Sequence, residues 1–249
     1  MKALQLHRWD ITTAEARKIQ LRLRDRLECT DRLPKIRRVA GADVALSLSG
    51  PRSWETRKGL AIAGVVVYRF PEMEEIERAS ATLPLTFPYV PGLLSFREIP
   101  ALLTAFERLR NVPDLIFCDG QGYAHPLRFG LACHLGVLLE CPSVGVAKSI
   151  LIGKYREPGR RAGSAVPLLD PDSGETLGAI LRTADGVRPV YVSHGHRISL
   201  ARAVELTMLV SDGYRIPLPT RAADHFVGAI RRGLPSRGPV SKRGARASH

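Results

Sequence analysis

Acids in unusual settings carry most of the potential chemistry in this chain of 249 residues. Asp119 closes the apolar run Leu115-Ile116-Phe117-Cys118 and is followed by Gly120-Gln121-Gly122. Such a run reads as a buried strand. It delivers a carboxylate at its C-terminal end, where open α/β sheets hold their ligands. The same Asp-Gly pair also reads as a plain turn. Asp43 lies inside the strand pattern Val39–Leu46, a setting that disfavours Asp. Either it sits on an exposed face, or other charges or a metal hold it at a site. Glu98 is double as well: Ser95 and Glu98 spell a capping box, but a cap needs no second acid nearby, so contact with Asp43 would favour chemistry. Lys148, after the apolar run Pro142–Ala147, is either a solvated strand end or a cation beside Asp119. Tyr89, held extended between Pro88 and Pro91, is either ordinary packing or a wedge against a base. His194 and His196 have no further His or Cys at ligand spacing, which disfavours zinc.

These residues need elements to position them. Thr12 or Thr13 caps an outer helix running to about Leu27. Strands are expected over 39–46, 59–70 and 76–85 as an antiparallel meander, followed by a helix through Ile99, Leu102, Phe106 and Leu109. Strand 114–118, a helix from about Arg128 to Leu139, and strand 142–147 form a right-handed βαβ unit, so Asp119 and Lys148 emerge along one edge. Short strands follow at 150–155, 164–169, 176–182 and 189–193. Helices at 200–209 and 220–231 close a single domain over residues 1–232. Residues 233–249, rich in Gly, Pro, Ser and Arg, read as a basic, disordered tail.

Lys and Arg outnumber Asp and Glu by 37 to 24, a formal charge of +13. Residues 231–249 hold six of those cations and no acid, so the remainder still carries +7. That excess points to a polyanionic partner such as nucleic acid. The longest apolar run, Leu60 to Tyr68, is far short of the roughly 20 residues needed to span a bilayer, and no signal-type apolar region opens the chain. Cys29, Cys118, Cys133 and Cys141 form no C-x-x-C pair and read as reduced, buried thiols, in keeping with the cytoplasm.

The motifs together resemble the endonuclease V family over roughly residues 10–232. The resemblance rests on Gly41-Ala-Asp43-Val, Pro88-Tyr-Val-Pro-Gly-Leu-Leu-Ser-Phe-Arg-Glu98, Asp119-Gly-Gln-Gly-Tyr-Ala-His-Pro126 and Arg128-Phe-Gly-Leu-Ala-Cys-His-Leu-Gly136. Gly145-Val-Ala-Lys148-Ser, Gly195-His-Arg-Ile-Ser and Arg215-Ile-Pro-Leu-Pro-Thr-Arg221 extend it. It implies an RNase H-like α/β fold, a mixed sheet flanked by helices. It also implies Mg²⁺-dependent cutting of DNA at deaminated bases, at the second phosphodiester 3′ to deoxyinosine, leaving 3′-hydroxyl and 5′-phosphate ends. Mn²⁺ would substitute. Asp43 and Asp119 would be the principal metal ligands with Glu98 beside them, Asp224 a fourth member, and Lys148 the cation near the scissile phosphate. DNA would be met by Tyr89 as wedge and by Pro91, Gly92, Leu93, Ser95, Arg97, His125 and Arg128. Main chain near Gly120, Gly122, Gly145 and Ser149 would read the flipped base, since glycine lets backbone approach closely. Leu127 stands where relatives usually carry Arg, and Val90 replaces the commoner Ile; neither touches the carboxylates. Inosine-containing RNA or branched DNA is the alternative substrate, and a non-cutting lesion binder the alternative class. A zinc base deaminase lacks its H-x-E and P-C-x-x-C signatures here, and a dinucleotide enzyme its G-x-G-x-x-G. A monomer is the default.

Overall fold

In the computed structural model, residues 1–48 and 59–233 are described; the expected tail lies outside them apart from Gly233, which ends the last helix. One eight-stranded mixed sheet forms the centre, in the order β3-β2-β1-β4-β5-β8-β7-β6. Strand β1 (Arg38–Leu48) opens an antiparallel meander with β2 (Gly59–Arg69) and β3 (Glu74–Pro84). Strand β4 (Leu115–Asp119) lies parallel to β1 and to β5 (Ser143–Ala147), as the βαβ pattern requires. Strands β6 (Ala165–Leu169), β7 (Thr176–Leu181) and β8 (Val190–His194) complete the other side in antiparallel pairing.

Alternation along the strands divides the core in two. Ala40, Ala42, Ile116 and Cys118 face α2 (Leu94–Glu107) and α3 (Leu131–Leu139). Val39, Leu115, Phe117 and Val144 face α4 (Leu200–Leu209) and α5 (Leu218–Gly233). Leu115 and Phe117 are fully buried, each worth roughly 1.5–3 kcal/mol of apolar transfer. Helix α1 (Thr13–Arg24) lies outside, where Leu23 packs on Phe129, Cys133 and Val137. No helix among the described residues is long and apolar enough to cross a membrane.

Several expectations need correction. The capping box belongs to α1, where the Glu15 backbone N–H donates to Thr12 Oγ1 and the Glu15 carboxylate accepts from Thr12 N–H. Helix α2 instead starts one residue before Ser95, with Leu93 at its N-cap and no side-chain cap. The reason is the preceding Pro91-Gly92 turn: Gly92 takes φ +82°, which glycine tolerates. Ser95 and Glu98 are therefore both inside the helix. Residues 150–155 form no strand, because Gly153 at φ +99° turns the chain and only Lys154 bridges to Leu169. Helix α1 stops at Arg24 rather than near Leu27, and α3 starts at Leu131 rather than at Arg128. Cys118, Cys133 and Cys141 are buried free thiols, but Cys29 is exposed.

Candidate active site

Strand register explains how the acids meet. Ala42 pairs with Cys118 in the parallel β1–β4 ladder, so Asp43 and Asp119, one residue further on each strand, lie side by side on the face toward α5. On that face β1 and β2 have little side-chain bulk. A β-carbon at Gly41 would fall 1.9 Å from the Pro219 carbonyl oxygen, and one at Gly64, opposite Asp43, 2.6 Å from Val227. These two glycines let α5 lie against the sheet, and the helix brings Asp224 over the strand acids. Carboxylate oxygens of Asp43, Asp119 and Asp224 all lie within 4.8 Å of one another.

Lys148, the first residue after β5, closes the cluster. Its Nζ is 2.6 Å from Asp119 Oδ2 and 3.6 Å from Asp224 Oδ2. Arg215 holds the main chain at that point, since Nη2 donates to the Lys148 carbonyl at 2.8 Å and Nε to the Arg188 carbonyl at 3.1 Å. Glu98 approaches from α2, outside the 4.8 Å group and 8 % exposed.

Burial and crowding set the charges. Burial, then the neighbouring Asp119, raises the Asp43 pKa to about 7. Burial raises Glu98 well above the usual carboxylate range, with Asp43 and Asp119 adding to the rise. Asp119 is raised by burial against the opposing pull of Lys148. The Lys148 pKa is lowered by burial but raised overall by its hydrogen bond and charge pairing with Asp119. One ammonium does not neutralise so many carboxylates. An all-oxygen donor set with excess negative charge fits a hard divalent cation.

A separate cavity of about 130 Å³, which includes Gln121 two residues after Asp119, is lined among others by Tyr89, Pro91, Gly92, Ser95 and His125. Tyr89, 48 % exposed, stands at its rim. Leu93 is buried below with Phe87 and Phe96. His125 pins the Pro-Tyr-Val-Pro turn. Its Nδ1 accepts from Leu127 N–H at 3.1 Å, so the proton is on Nε2, which donates to the Gly92 carbonyl at 2.9 Å.

Other expected contacts have protein partners. Arg97 is buried and donates through Nη1 to the Phe87 carbonyl. Arg128 forks onto Asp170 at 2.6 Å and Glu175 at 2.8 Å, tying the β6–β7 turn to the Asp119 loop. Gly122 and Gly145 also serve internal packing: a β-carbon at Gly145 would lie 2.4 Å from Gly122 N, and one at Gly122 2.3 Å from the His194 carbonyl oxygen. The close approach they permit is between backbones of this chain. Gly120 continues the same loop at φ +151°. The Ser149 carbonyl accepts from Gln121 Nε2 at 3.0 Å. Sequence reading missed Arg215, whose motif was visible but not its carbonyl partners, and Gln20, which lines the cavity from α1 with no local signal.

A mixed sheet with acids at adjacent ends of its first and fourth strands, flanked by helices on both faces, is an RNase H-like fold. Its structural neighbours share that architecture. An endonuclease V from Streptomyces avermitilis superimposes with a TM-score of 0.82 at 42 % identity, covering 90 % of this chain and 95 % of the other. Ciona intestinalis endonuclease V, solved with a 23mer DNA containing an inosine followed by a ribo-adenosine, gives 0.76 at 29 % identity, covering 89 % and 99 %. In sequence, the endonuclease V family model matches residues 21–225. Endonuclease V of Nostoc punctiforme is 46 % identical over 230 residues, 92 % of this chain and the whole of the relative. This chain belongs to the endonuclease V family, and its homologues mark it as a nuclease.

Proposed function

We propose that the protein is a Mg²⁺-dependent endonuclease that recognises hypoxanthine in DNA. It hydrolyses the second phosphodiester 3′ to the lesion, leaving 3′-hydroxyl and 5′-phosphate ends, and acts as a monomer in the cytoplasm. The observation that carries the reading is the convergence of Asp43, Asp119 and Asp224 within 4.8 Å, together with a cavity rimmed by Tyr89. Those three carboxylates would hold Mg²⁺, or Mn²⁺ in its place. Held there, such an ion would lower the pKa of water and offset charge developing on the phosphate.

The protein supplies the rest. The Lys148 ammonium, kept charged by Asp119 and anchored through Arg215, stabilises negative charge added at the phosphate. Glu98, its pKa raised by burial and by Asp43 and Asp119, lies close to the cluster and orients water there. Tyr89 fills the gap left in the stack when the base rotates into the cavity. His125 and Gln20 both donate to the Gly92 carbonyl at 2.9 Å and keep the wedge segment rigid. Arg97, Leu93 and Arg128 support the DNA-facing loops from behind.

The test is nick mapping on an end-labelled duplex carrying one hypoxanthine. A single product ending at the second phosphodiester 3′ to it supports the reading; equal cutting of an undamaged duplex overturns it. A second reading, cutting of inosine-containing RNA, draws on the ribo-adenosine in the Ciona complex. Matched DNA and RNA duplexes decide between them, because they differ in the 2′-hydroxyl and the helical form it imposes.

A further inference from the structure

Two arginines that the motifs place near the cavity are already taken by the protein. Arg97 is buried, and Arg128 is held by Asp170 and Glu175. A polyanion lying across the cavity mouth therefore needs counter-charges from another element.

Helix α1 supplies them. Gln20 marks the side of α1 that faces the cavity, since its amide donates to the carbonyls of Gly92 and Phe129. At 3.6 residues per turn, Ala16 and Leu23 fall to one side of Gln20, and Arg17 and Arg24 fall to the other. Ala16 and Leu23 are buried in the core, whereas Arg17 and Arg24 are exposed. The far flank of the helix is covered by the N-terminal segment, where Arg22 Nη2 donates to the Leu6 carbonyl at 2.9 Å. Arg17 and Arg24 thus form a row on the cavity side, about two turns or roughly 10 Å apart along the axis. Arg32 and Arg78, also exposed, each lie within 2.8 Å of a carboxylate. Among the described residues, neither Arg17 nor Arg24 has an ion pair or a side-chain hydrogen bond.

The layers of the fold give this row its place relative to the acids. Asp224 comes from α5 on one face of the sheet, α2 and α3 pack on the other, and α1 lies outside α3. The cavity, walled by Ser95 and Leu131 at the starts of α2 and α3, lies between the acid cluster and the two arginines. A strand with its base in the cavity and its cut phosphodiester, 3′ to that base, at the cluster leaves the cavity on its 5′ side toward α1.

We propose that Arg17 and Arg24 grip phosphates of the duplex arm 5′ to the lesion. The inference rests on the reading of the cavity and the acid cluster, and adds to it a surface that lies outside every motif of the chain. Guanidinium forks match phosphate oxygens, and such contacts set the position of a duplex without reading its sequence.

The experiment measures binding by fluorescence anisotropy in EDTA over a range of salt concentrations. It compares wild type with the double variant Arg17→Gln, Arg24→Gln, since glutamine is also a good helix former. The control is Lys18→Gln, exposed on the side of α1 turned away from Gln20. Two duplexes each carry one hypoxanthine: one has long arms on both sides, and the other ends just 5′ to the lesion. On the long duplex the double variant should lose about 1.8 from the slope of log affinity against log salt, so its deficit grows about 3.5-fold with each halving of salt. On the shortened duplex it should bind like wild type, and Lys18→Gln should match wild type on both. Preference for hypoxanthine over adenine should be the same in all three proteins. No deficit on the long duplex, a deficit that persists on the shortened one, or an equal deficit in Lys18→Gln overturns this inference only. A wild-type protein with no preference for hypoxanthine over adenine overturns the base-site reading and the inference with it.

Discussion

Replacing Asp43 with asparagine should abolish cutting and stabilise the fold. Asp43 is held at a pKa of about 7, first by burial and then by Asp119, against an ordinary 3.8. Between those values the folded chain binds more protons than the unfolded chain, so stability falls as pH rises from about 4 to 7 and then levels off. At about 1.36 kcal/mol per pKa unit, the ionised carboxylate costs the fold on the order of 4 kcal/mol at pH 8. At pH 5 the cost shrinks to under about 2 kcal/mol, because the native carboxyl is then protonated. In a domain of this size 1 kcal/mol moves the midpoint by roughly 2–4 °C. Thermal unfolding in EDTA at pH 8 should therefore show Asp43→Asn melting about 10 °C above wild type, with a clearly smaller gap at pH 5. Adding Mg²⁺ should raise the wild-type midpoint and move the variant little. A variant that melts at or below wild type at pH 8 would refute the claim that the acid cluster is held together at the expense of stability.

Three further outcomes follow from the same geometry. His125, His194 and His196 are buried, and burial lowers each to a pKa of about 4. The unfolded chain takes up protons below 6.5 while the native one does not, so each should cost about 2 kcal/mol by pH 5; urea titrations should show wild type losing about that much more stability between pH 7 and 5 than His194→Gln, in which the carboxylates are unchanged, and equal losses would contradict this. Gly41→Val puts a side chain into the Pro219 carbonyl, so it should destabilise by about 1–3 kcal/mol and lower nicking further than that loss explains, because α5 carries Asp224 away from the strand acids; a fully active, fully stable variant would count against the docking argument. Arg215→Lys keeps the charge but loses the fork that holds the Lys148 and Arg188 carbonyls. Its kcat should drop about tenfold with KM little changed, whereas a pure KM effect would point to a DNA contact instead.

Much of the fold could be read from the residues because it depends on local pattern. The meander and the βαβ unit follow from strand alternation and from apolar runs that end in acids, whereas the pairing of Asp43 with Asp119 came only with the family resemblance. Glu98 was ambiguous because its local signal, a serine three residues before it, is the same for a cap and for a buried acid; only the Gly92 turn moves the helix start. Asp224 could be placed by motif but not by pattern, since its position depends on α5 lying on Gly41 and Gly64, far away in sequence. Arg128 reads as a DNA contact because its partners, Asp170 and Glu175, lie more than 40 residues away. Gln20 was hidden for the same reason: its amide donates to the carbonyls of Gly92 and Phe129, and no spacing rule links them to α1.

The central claim, that Asp43, Asp119 and Asp224 hold the metal that drives cutting at hypoxanthine, is tested most directly by single-turnover nicking of an inosine-containing duplex. Wild type, Asp43→Asn and Asp119→Asn would be compared in Mg²⁺ and in EDTA. Cutting should require Mg²⁺ and fall at least about a thousandfold in both variants. Equal rates in EDTA, or variants that cut as fast as wild type, would contradict it.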